Sequence, residues 1–244
     1  MNEWFKDWFA SDEYLEVYRH RNEEDAKKLF ELIIHNVDCP LSADVLDIAC
    51  GAGRHSIYLA QHGFRVTSFD LSLNLLKIGK TKAERNGLKI DFFNADIRNI
   101  ALKKKFDLIV NLFTSFGYFE SDRENFLLFS DAYFFLKSGG SFVFDYFNVD
   151  YLKKNIVPES VAKAGEKLIM QQRFIEDNRV KKKIQIINNK DVKEYFESVR
   201  LYSSDEIITE LEEAGFCISK IFGDYSGNSF IQSSSPRLII MAKK

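Results

Sequence analysis

The chain predicts an α/β fold built on a doubly wound, mostly parallel sheet, and two observations carry that expectation. First, apolar strand-like runs alternate with helix-period segments from Val45 to Tyr146, and repeated β–α units imply parallel strands joined by right-handed crossovers. Second, Val45-Leu46-Asp47-Ile48-Ala49-Cys50-Gly51-Ala52-Gly53-Arg54 reads as a buried strand, a glycine turn and a helix start.

Residues from Trp4 to about Val37 predict helices. Trp4, Phe5, Trp8 and Phe9 recur at helical spacing, so the rings either pack onto the domain or form part of a lid over a site. Asn22 is placed to cap the next helix, with Glu23, Glu24 and Asp25 in its first turn and Ala26, Leu29, Phe30, Ile33 and Ile34 on its apolar face. Strands follow near Val45 and Val66, with a helix near Ile57 between them. Then come a helix from Leu73 to Asn86, strands Ile90 to Asn94 and Leu108 to Asn111, a helix from Arg123 to Leu136, and a strand from Ser141 to Tyr146.

From Phe147 to about Tyr202 the pattern changes. Lys167 to Phe174, Val180 to Ile187 and Val192 to Leu201 alternate in part, with Asn178 and Asn188-Asn189 at turns. This predicts antiparallel hairpins inserted after the fifth strand. Lys181-Lys182-Lys183 read as a solvated strand face rather than a nucleic-acid patch. Ser203-Ser204-Asp205-Glu206 starts a helix to Ala214, with Gly215 as its stop. Strands Phe216 to Phe222 and Arg237 to Ala242 bring the sheet to seven. The expected organisation is one domain from residues 1–146 and 203–244, with 147–202 as an inserted β-rich lid or substrate subdomain.

Composition sets bounds. A chain of 244 residues with 45% hydrophobic content supports one α/β domain with a full core. A formal net charge of -2 gives no long-range field toward nucleic acid or an anionic membrane. Cys39, Cys50 and Cys217 show neither metal-ligand spacing nor a disulfide framework, so no metal is expected. The acidic start Met1-Asn2-Glu3-Trp4 is unlike a signal peptide, and no apolar run has membrane-spanning length. The expectation is a cytoplasmic monomer or homodimer acting on a small molecule.

The glycine turn points to a ligand. Gly51 and Gly53 let the backbone turn sharply and approach a bound molecule closely, and such a unit places its ligand at the carboxyl ends of the strands. Asp70 ends the next apolar run, where a carboxylate can accept hydrogen bonds from both ribose hydroxyls. A nicotinamide dinucleotide would need a third glycine where Ser56 stands, and Asp47 would oppose its pyrophosphate. A ligand with an ammonium or sulfonium centre suits Asp47 better. Asp47 either faces that charge or caps the glycine turn through backbone N–H groups.

On these residues the chain resembles the class I S-adenosylmethionine-dependent methyltransferases. Val45 to Arg54 matches their first motif, Asp70 their ribose-binding acid, and Asn94-Ala95-Asp96-Ile97 the motif after the third strand. Phe106 to Asn111 and Leu136 to Phe144 match their fourth and fifth strands, and Ile207 to Gly215 resembles their last helix. The resemblance implies a Rossmann-like sheet with an antiparallel C-terminal strand. It also implies S-adenosyl-L-methionine as cofactor, held by Asp47, Ala49, Cys50, Gly51, Gly53, Asp70, Leu71, Asp96, Ile97 and Asn111. Asp96 would contact the adenine amino group, and the Ile97 amide a ring nitrogen. Arg21, in the basic run Tyr18-Arg19-His20-Arg21, is assigned to the cofactor's carboxylate.

Methyl transfer from a sulfonium is an in-line displacement that needs no metal, and positioning alone contributes about 7–11 kcal/mol. The acceptor is expected over the ends of strands four and five and under the insertion. Phe116, Tyr118 and Tyr225 are the candidates for lining that site, with Phe113 and Phe147 as core. Asn111-Leu112-Phe113-Thr114 lacks the N/D-P-P-Y/F pattern of enzymes acting on the amino groups of DNA bases or glutamine. That leaves N- or O-methylation of a small, partly apolar acceptor. His35, His55 and His62 are placed on helices and His20 N-terminal to them, so no general base is named and the catalytic residue is unknown. The rival readings are aminopropyl transfer from decarboxylated cofactor, a non-catalytic adenosyl-binding module, and an NAD-dependent oxidoreductase.

Overall fold

The computed structural model describes residues 3–18, 23–40, 42–189 and 191–244. Its centre is a seven-stranded sheet of β1 (Asp44–Ile48), β2 (Arg65–Asp70), β3 (Ile90–Asn94), β4 (Phe106–Asn111), β5 (Leu136–Phe147), β10 (Cys217–Phe222) and β11 (Arg237–Lys243). The strand order is β10-β11-β5-β4-β1-β2-β3. β1 pairs in parallel with both β2 and β4, whereas β11 runs antiparallel to both β5 and β10. The chain therefore reverses its winding at β1, and the crevice between β1 and β4 is where such a sheet receives a ligand.

β1 is buried along its whole length because both of its faces are covered. Val45 packs with Leu29, Ile33 and Leu59, from α3 (Glu23–Asn36) and α4 (Arg54–Gln61). Leu46 and Ile48 face the opposite layer, where α6 (Asp122–Phe135) and α8 (Ser204–Glu213) contribute Leu128, Phe129, Ile207 and Leu211. The fully buried Phe129, Phe142 and Phe144 sit in this second layer, and burying each such ring contributes roughly 1.5–3 kcal/mol. α5 (Leu73–Arg85) follows β2 and is capped by the Ser72 hydroxyl, which accepts from the Leu75 amide at 3.3 Å. At α8, Ser203 and Glu206 form the expected capping box, and Gly215 ends the helix at φ 104°.

The inserted segment opens with α7 (Val149–Asn155), a helix that the strand-like reading of 147–202 did not anticipate. Its start is fixed by Asn148, whose side chain accepts from the Asp150 amide. A four-stranded antiparallel sheet follows: β6 (Glu159–Ala164), β7 (Lys167–Glu176), β8 (Arg179–Asn188) and β9 (Asp191–Arg200). Asp177 and Asn178 both take positive φ, 52° and 54°, as a two-residue hairpin turn matched to strand twist requires.

Ile169, Ile184 and Ile186 point from this sheet to Trp8 and Val17, on α1 (Trp4–Ala10) and α2 (Glu13–Val17). The lysine run departs from the expected solvated face at its middle residue. Lys182 shares the inward parity of Ile184 and Ile186, is 8% exposed, and donates to the Tyr18 hydroxyl at 2.5 Å. Its neighbours Lys181 and Lys183 do pair with outer acids, Glu176 and Glu194.

Candidate functional site

The turn after β1 uses left-handed backbone at Ala49 (φ 57°), Gly51 (58°) and Gly53 (70°). Its capping carboxylate is Asp70, which accepts from the Gly51 amide at 2.7 Å and the Ser72 amide at 2.8 Å. Asp47 reaches past the glycines to the first turn of α4, where the Ser56 backbone N–H donates to it. It accepts from the Ser56 hydroxyl at 2.5 Å, and Ser68 donates in turn to Ser56 at 2.9 Å. Ser56, in the place of a third glycine, is thus a buried link between β1, β2 and α4.

Neither Asp47 nor Asp70 has an ion-pair partner among the described residues. Burial pushes the Asp47 carboxyl up to about 7, reinforced by Asp70 and opposed by its bonds from Ser56. Burial also raises Asp70, against the pull of its backbone donors. Two adjacent buried carboxylates without a cation make a place where a positively charged ligand is favoured over water.

These groups open on a cavity of about 590 Å³. One side of it comes from the β-strand ends: Asp47, Ala49, Cys50, Gly51, Asp70 and Leu71, then Asp96 and Ile97. Asp96 is held by Arg98, whose Nη2 lies 2.6 Å both from Asp96 Oδ2 and from Glu3 Oε1. Burial pushes the Asp96 carboxyl up, but the Arg98 hydrogen bonds outweigh it and leave the group below its ordinary range.

The opposite side is the N-terminal segment, with Phe5, Phe9, Tyr14 and Tyr18 facing the cavity. Ser72 Oγ donates to the Phe9 carbonyl at 2.5 Å, which ties α1 to the loop after Asp70. Trp8 turns away and packs against Tyr195, with 4.5 Å between ring centroids and the planes tilted by 39°. The N-terminal rings therefore divide between packing and lid. Among the described residues of 147–202 none lines the cavity; the inserted sheet backs the helices that do.

The third side is the segment after β4. Phe113 and Thr114 take left-handed conformations, φ 57° and 61°. Asp145 holds them there. Its Oδ2 accepts from the Phe113 amide at 2.9 Å, and its carbonyl accepts from the Thr114 amide at 3.0 Å. Arg237 bridges Asp145 and the Thr114 hydroxyl. Beyond Phe113, the residues Phe116, Tyr118 and Phe119 also face the cavity.

Residues 45–140 match the family model described as a methyltransferase domain. Over that stretch the chain is similar to methyltransferase domains. A protein of Geobacillus sp. (strain WCH70) named as a methyltransferase is 27% identical over 209 residues, spanning 82% of this chain and 84% of the relative. Among solved structures, an S-adenosylmethionine-dependent methyltransferase from Clostridium acetobutylicum ATCC 824 superposes with a TM-score of 0.83 at 24% identity, over 94% of this chain and 95% of that one. CalS10, an amino pentose methyltransferase from Micromonospora echinaspora solved with S-adenosylmethionine bound, gives a TM-score of 0.67 at 16% identity, over 96% and 97% of the two chains.

The structure places most of the sequence-derived residues in one cavity: Asp47, Ala49, Cys50, Gly51, Asp70, Leu71, Asp96, Ile97, Phe116 and Tyr118. Gly53 shapes the turn from outside the lining, since a Cβ there would meet the Phe92 ring at 2.9 Å. Asn111 is fully buried and not part of the lining. Its Nδ2 donates to the Ile48 carbonyl at 3.1 Å, and its Oδ1 has no partner among the described residues. Tyr225 also stands off the cavity. It bonds to Asp145 Oδ2 at 3.1 Å and stacks on Phe113, which takes the lining place expected of Tyr225. Tyr146, Phe147 and Asn148 at the end of β5 do not reach the cavity either. Arg21 lies outside the described residues.

His55 was missed as a site residue. It sits in the first turn of α4, where helical periodicity alone says nothing of a ligand, yet it faces the cavity. Among the described residues no group of three or more His, Cys, Asp or Glu is placed to hold a metal ion, and no helix is long and apolar enough to cross a membrane.

The site fits its cofactor. An added Cβ at Gly51 would meet nothing within 4 Å, so the turn leaves open space above it. Asp70 keeps lone pairs beyond its two amide bonds.

Proposed function

We propose that this chain transfers the methyl group of S-adenosylmethionine to a nitrogen or oxygen atom of a small, partly apolar acceptor. The observation that carries the reading is the buried pair Asp47 and Asp70 beside an open glycine turn, neither acid ion-paired to a side chain of the described residues. When bound, the cofactor supplies an activated methyl group on a cationic sulfur.

The chain's residues do the rest by binding and orientation. Asp70 accepts the ribose hydroxyls, and Asp96 with the Ile97 amide takes the adenine edge. Asp47, reached through the turn of Ala49, Cys50 and Gly51, provides the negative charge that offsets the ligand's positive centres. Leu71 covers the ribose side, and Asn111 holds the end of β1 from behind through its bond to the Ile48 carbonyl. Phe113, Phe116 and Tyr118 form the wall toward the acceptor, and their ring faces favour a positively charged reacting centre. A cavity of about 590 Å³ holds cofactor and a small acceptor together. The helices from Trp4 to Val17 close it, braced by the inserted segment 147–202. Aminopropyl transfer would call for acidic amine-binding groups after β4, where this chain presents Phe113, Phe116 and Tyr118 instead. The proposed setting is cytoplasmic, with a small-molecule partner.

Calorimetric titration with S-adenosylmethionine, S-adenosylhomocysteine, decarboxylated S-adenosylmethionine and NAD tests the reading. Binding of the first two, lost in Asp70→Ala, is expected, and acceptor screening follows from it. Preference for the decarboxylated form would move the reading to aminopropyl transfer, and binding of NAD alone would overturn it.

A further inference from the structure

The inserted sheet ends in an open edge. β6 pairs with β7, and among the described residues no strand pairs with its other side. The Arg173 amide donates to the Pro158 carbonyl at 2.7 Å, which continues the register of Glu159 with Gln172. Successive residues of an antiparallel strand bond alternately to one side and to the other. Ser160, Ala162 and Ala164 therefore bond toward β7, as Pro158 does. Glu159, Val161 and Lys163 turn their main-chain N–H and C=O groups to the open edge.

The side chains of these three residues share one face of the sheet. Val161 is 62% exposed and stands opposite Met170 of β7, which is 36% exposed. Glu159 and Lys163 flank Val161 at equal distance along the strand. An unpaired strand is a template for another strand, and the charges decide which strand fits. An edge carrying one sign of charge repels its own copy, whereas an acid and a base placed symmetrically about a central valine attract it.

When β6 meets a second β6 antiparallel about Val161, Glu159 stands opposite the partner's Lys163, and Lys163 opposite the partner's Glu159. Val161 then faces the partner's Val161, so that these valines and the Met170 of each copy form one apolar row across four strands. Every one of these pairings falls on residues whose main-chain groups face the edge, which gives about six new backbone hydrogen bonds. A register one residue away sets Glu159 against the partner's Ala164 and loses both charge pairs.

We propose that two copies of this chain join through β6, antiparallel about Val161, into one continuous eight-stranded sheet. The interface is isologous, with its two-fold axis perpendicular to the sheet. Helices α1 and α2 of both copies then lie on the same face, opposite the row of valine and methionine, because they pack on Ile169, Ile184 and Ile186. The pairing is independent of the cofactor.

Sedimentation velocity on the full chain at about 1–100 μM reads the association directly. The wild type is expected to dimerise. Glu159→Lys and Lys163→Glu each set like charges opposite one another at both ends of the interface, and each raises the dissociation constant by about tenfold. The double variant carrying both substitutions rebuilds the pairs and restores the dimer. Val161→Pro removes the N–H donated at the axis. That N–H takes no part in the bonds to β7, and an edge strand tolerates proline at such a position. This variant is expected to be monomeric with the circular dichroism spectrum of the wild type. A dimer that survives both single charge reversals and Val161→Pro would overturn the β6 interface. A wild type that stays monomeric over the whole range would overturn self-pairing and leave the edge to a strand of another protein.

Discussion

Arg179 Nη2 donates to the carbonyl oxygen of Gly117 at 3.2 Å. The same guanidinium reaches the carbonyls of Tyr118, Phe119 and Ser198 and the Ser198 hydroxyl. It is 6% exposed, so one strand of the inserted sheet clamps the backbone of the segment that walls the acceptor side. Arg179→Met keeps the aliphatic stem and leaves those buried carbonyls unpaired, at about 1–3 kcal/mol for each one that finds no water. A net loss of about 3 kcal/mol lowers Tm by roughly 6–12 °C for a chain of this size. Thermal unfolding checks it, and an unchanged Tm would show that the clamp contributes nothing.

Asp47 makes stability depend on pH. Its carboxyl sits at about 7 in the folded chain against an ordinary 3.8. The folded state therefore keeps a proton that the unfolded chain has released. The stability from this group is complete below about pH 4 and is lost as pH rises through 7, a loss of about 4 kcal/mol at roughly 1.4 kcal/mol per pH unit. Asp47→Asn removes that slope. Ligand-free Asp47→Asn is expected to match wild type at pH 4 and exceed it in Tm at pH 8. Cofactor affinity of the wild type rises across the same window as Asp47 ionises, whereas that of Asp47→Asn stays flat and weaker. Tm and calorimetric affinity between pH 5 and pH 8 decide both points.

Asp145 holds a strained wall. Asp145→Ala removes the acceptor for the Phe113 amide, the Tyr225 hydroxyl and the Arg237 guanidinium together. Breaking a buried charge pair on one side costs about 3–5 kcal/mol, and Phe113 with Thr114 then relaxes from positive φ. Asp145→Asn keeps an acceptor for the Phe113 amide and costs less. Denaturant unfolding gives the stabilities, and a weaker cofactor complex in Asp145→Ala shows that the wall has moved.

The central sheet was legible because its signals are local. A fully buried parallel strand such as Val45 to Ile48 is apolar but for the acid near its end, Asp47, and a glycine turn followed by a helix has few alternatives. The acids Asp47, Asp70 and Asp96 could be located because they end or follow such strands. What escaped depended on distance along the chain. Asp145 and Arg237 meet Phe113 only through strand pairing of β5 with β11. Tyr225 was expected in the lining, but contact with Asp145 and Phe113 draws it behind the wall. Lys182 looked like its neighbours until the two-residue parity of β8 turned it inward onto α2. His55 carried no pattern at all, since one histidine in a helix becomes a site residue only when a loop from elsewhere places a cavity beside it.

The two turn glycines separate folding from binding. Gly51 and Gly53 have nearly equal φ, 58° and 70°, so a side chain costs each about 1–2 kcal/mol in backbone strain. Their surroundings differ. A Cβ at Gly53 would lie 2.9 Å from Phe92 Cζ, whereas one at Gly51 would meet no atom within 4 Å and would project where the cofactor is placed. Gly53→Ala is therefore expected to lose more stability than Gly51→Ala, and Phe92→Leu is expected to recover part of that loss because the ring is what the methyl strikes. Gly51→Ala should fold with a modestly lower Tm and bind S-adenosylhomocysteine at least tenfold more weakly, a difference of about 1.4 kcal/mol. Equal stability losses at the two positions would mean that strain alone sets the cost. Unimpaired binding by Gly51→Ala would place the cofactor away from the turn.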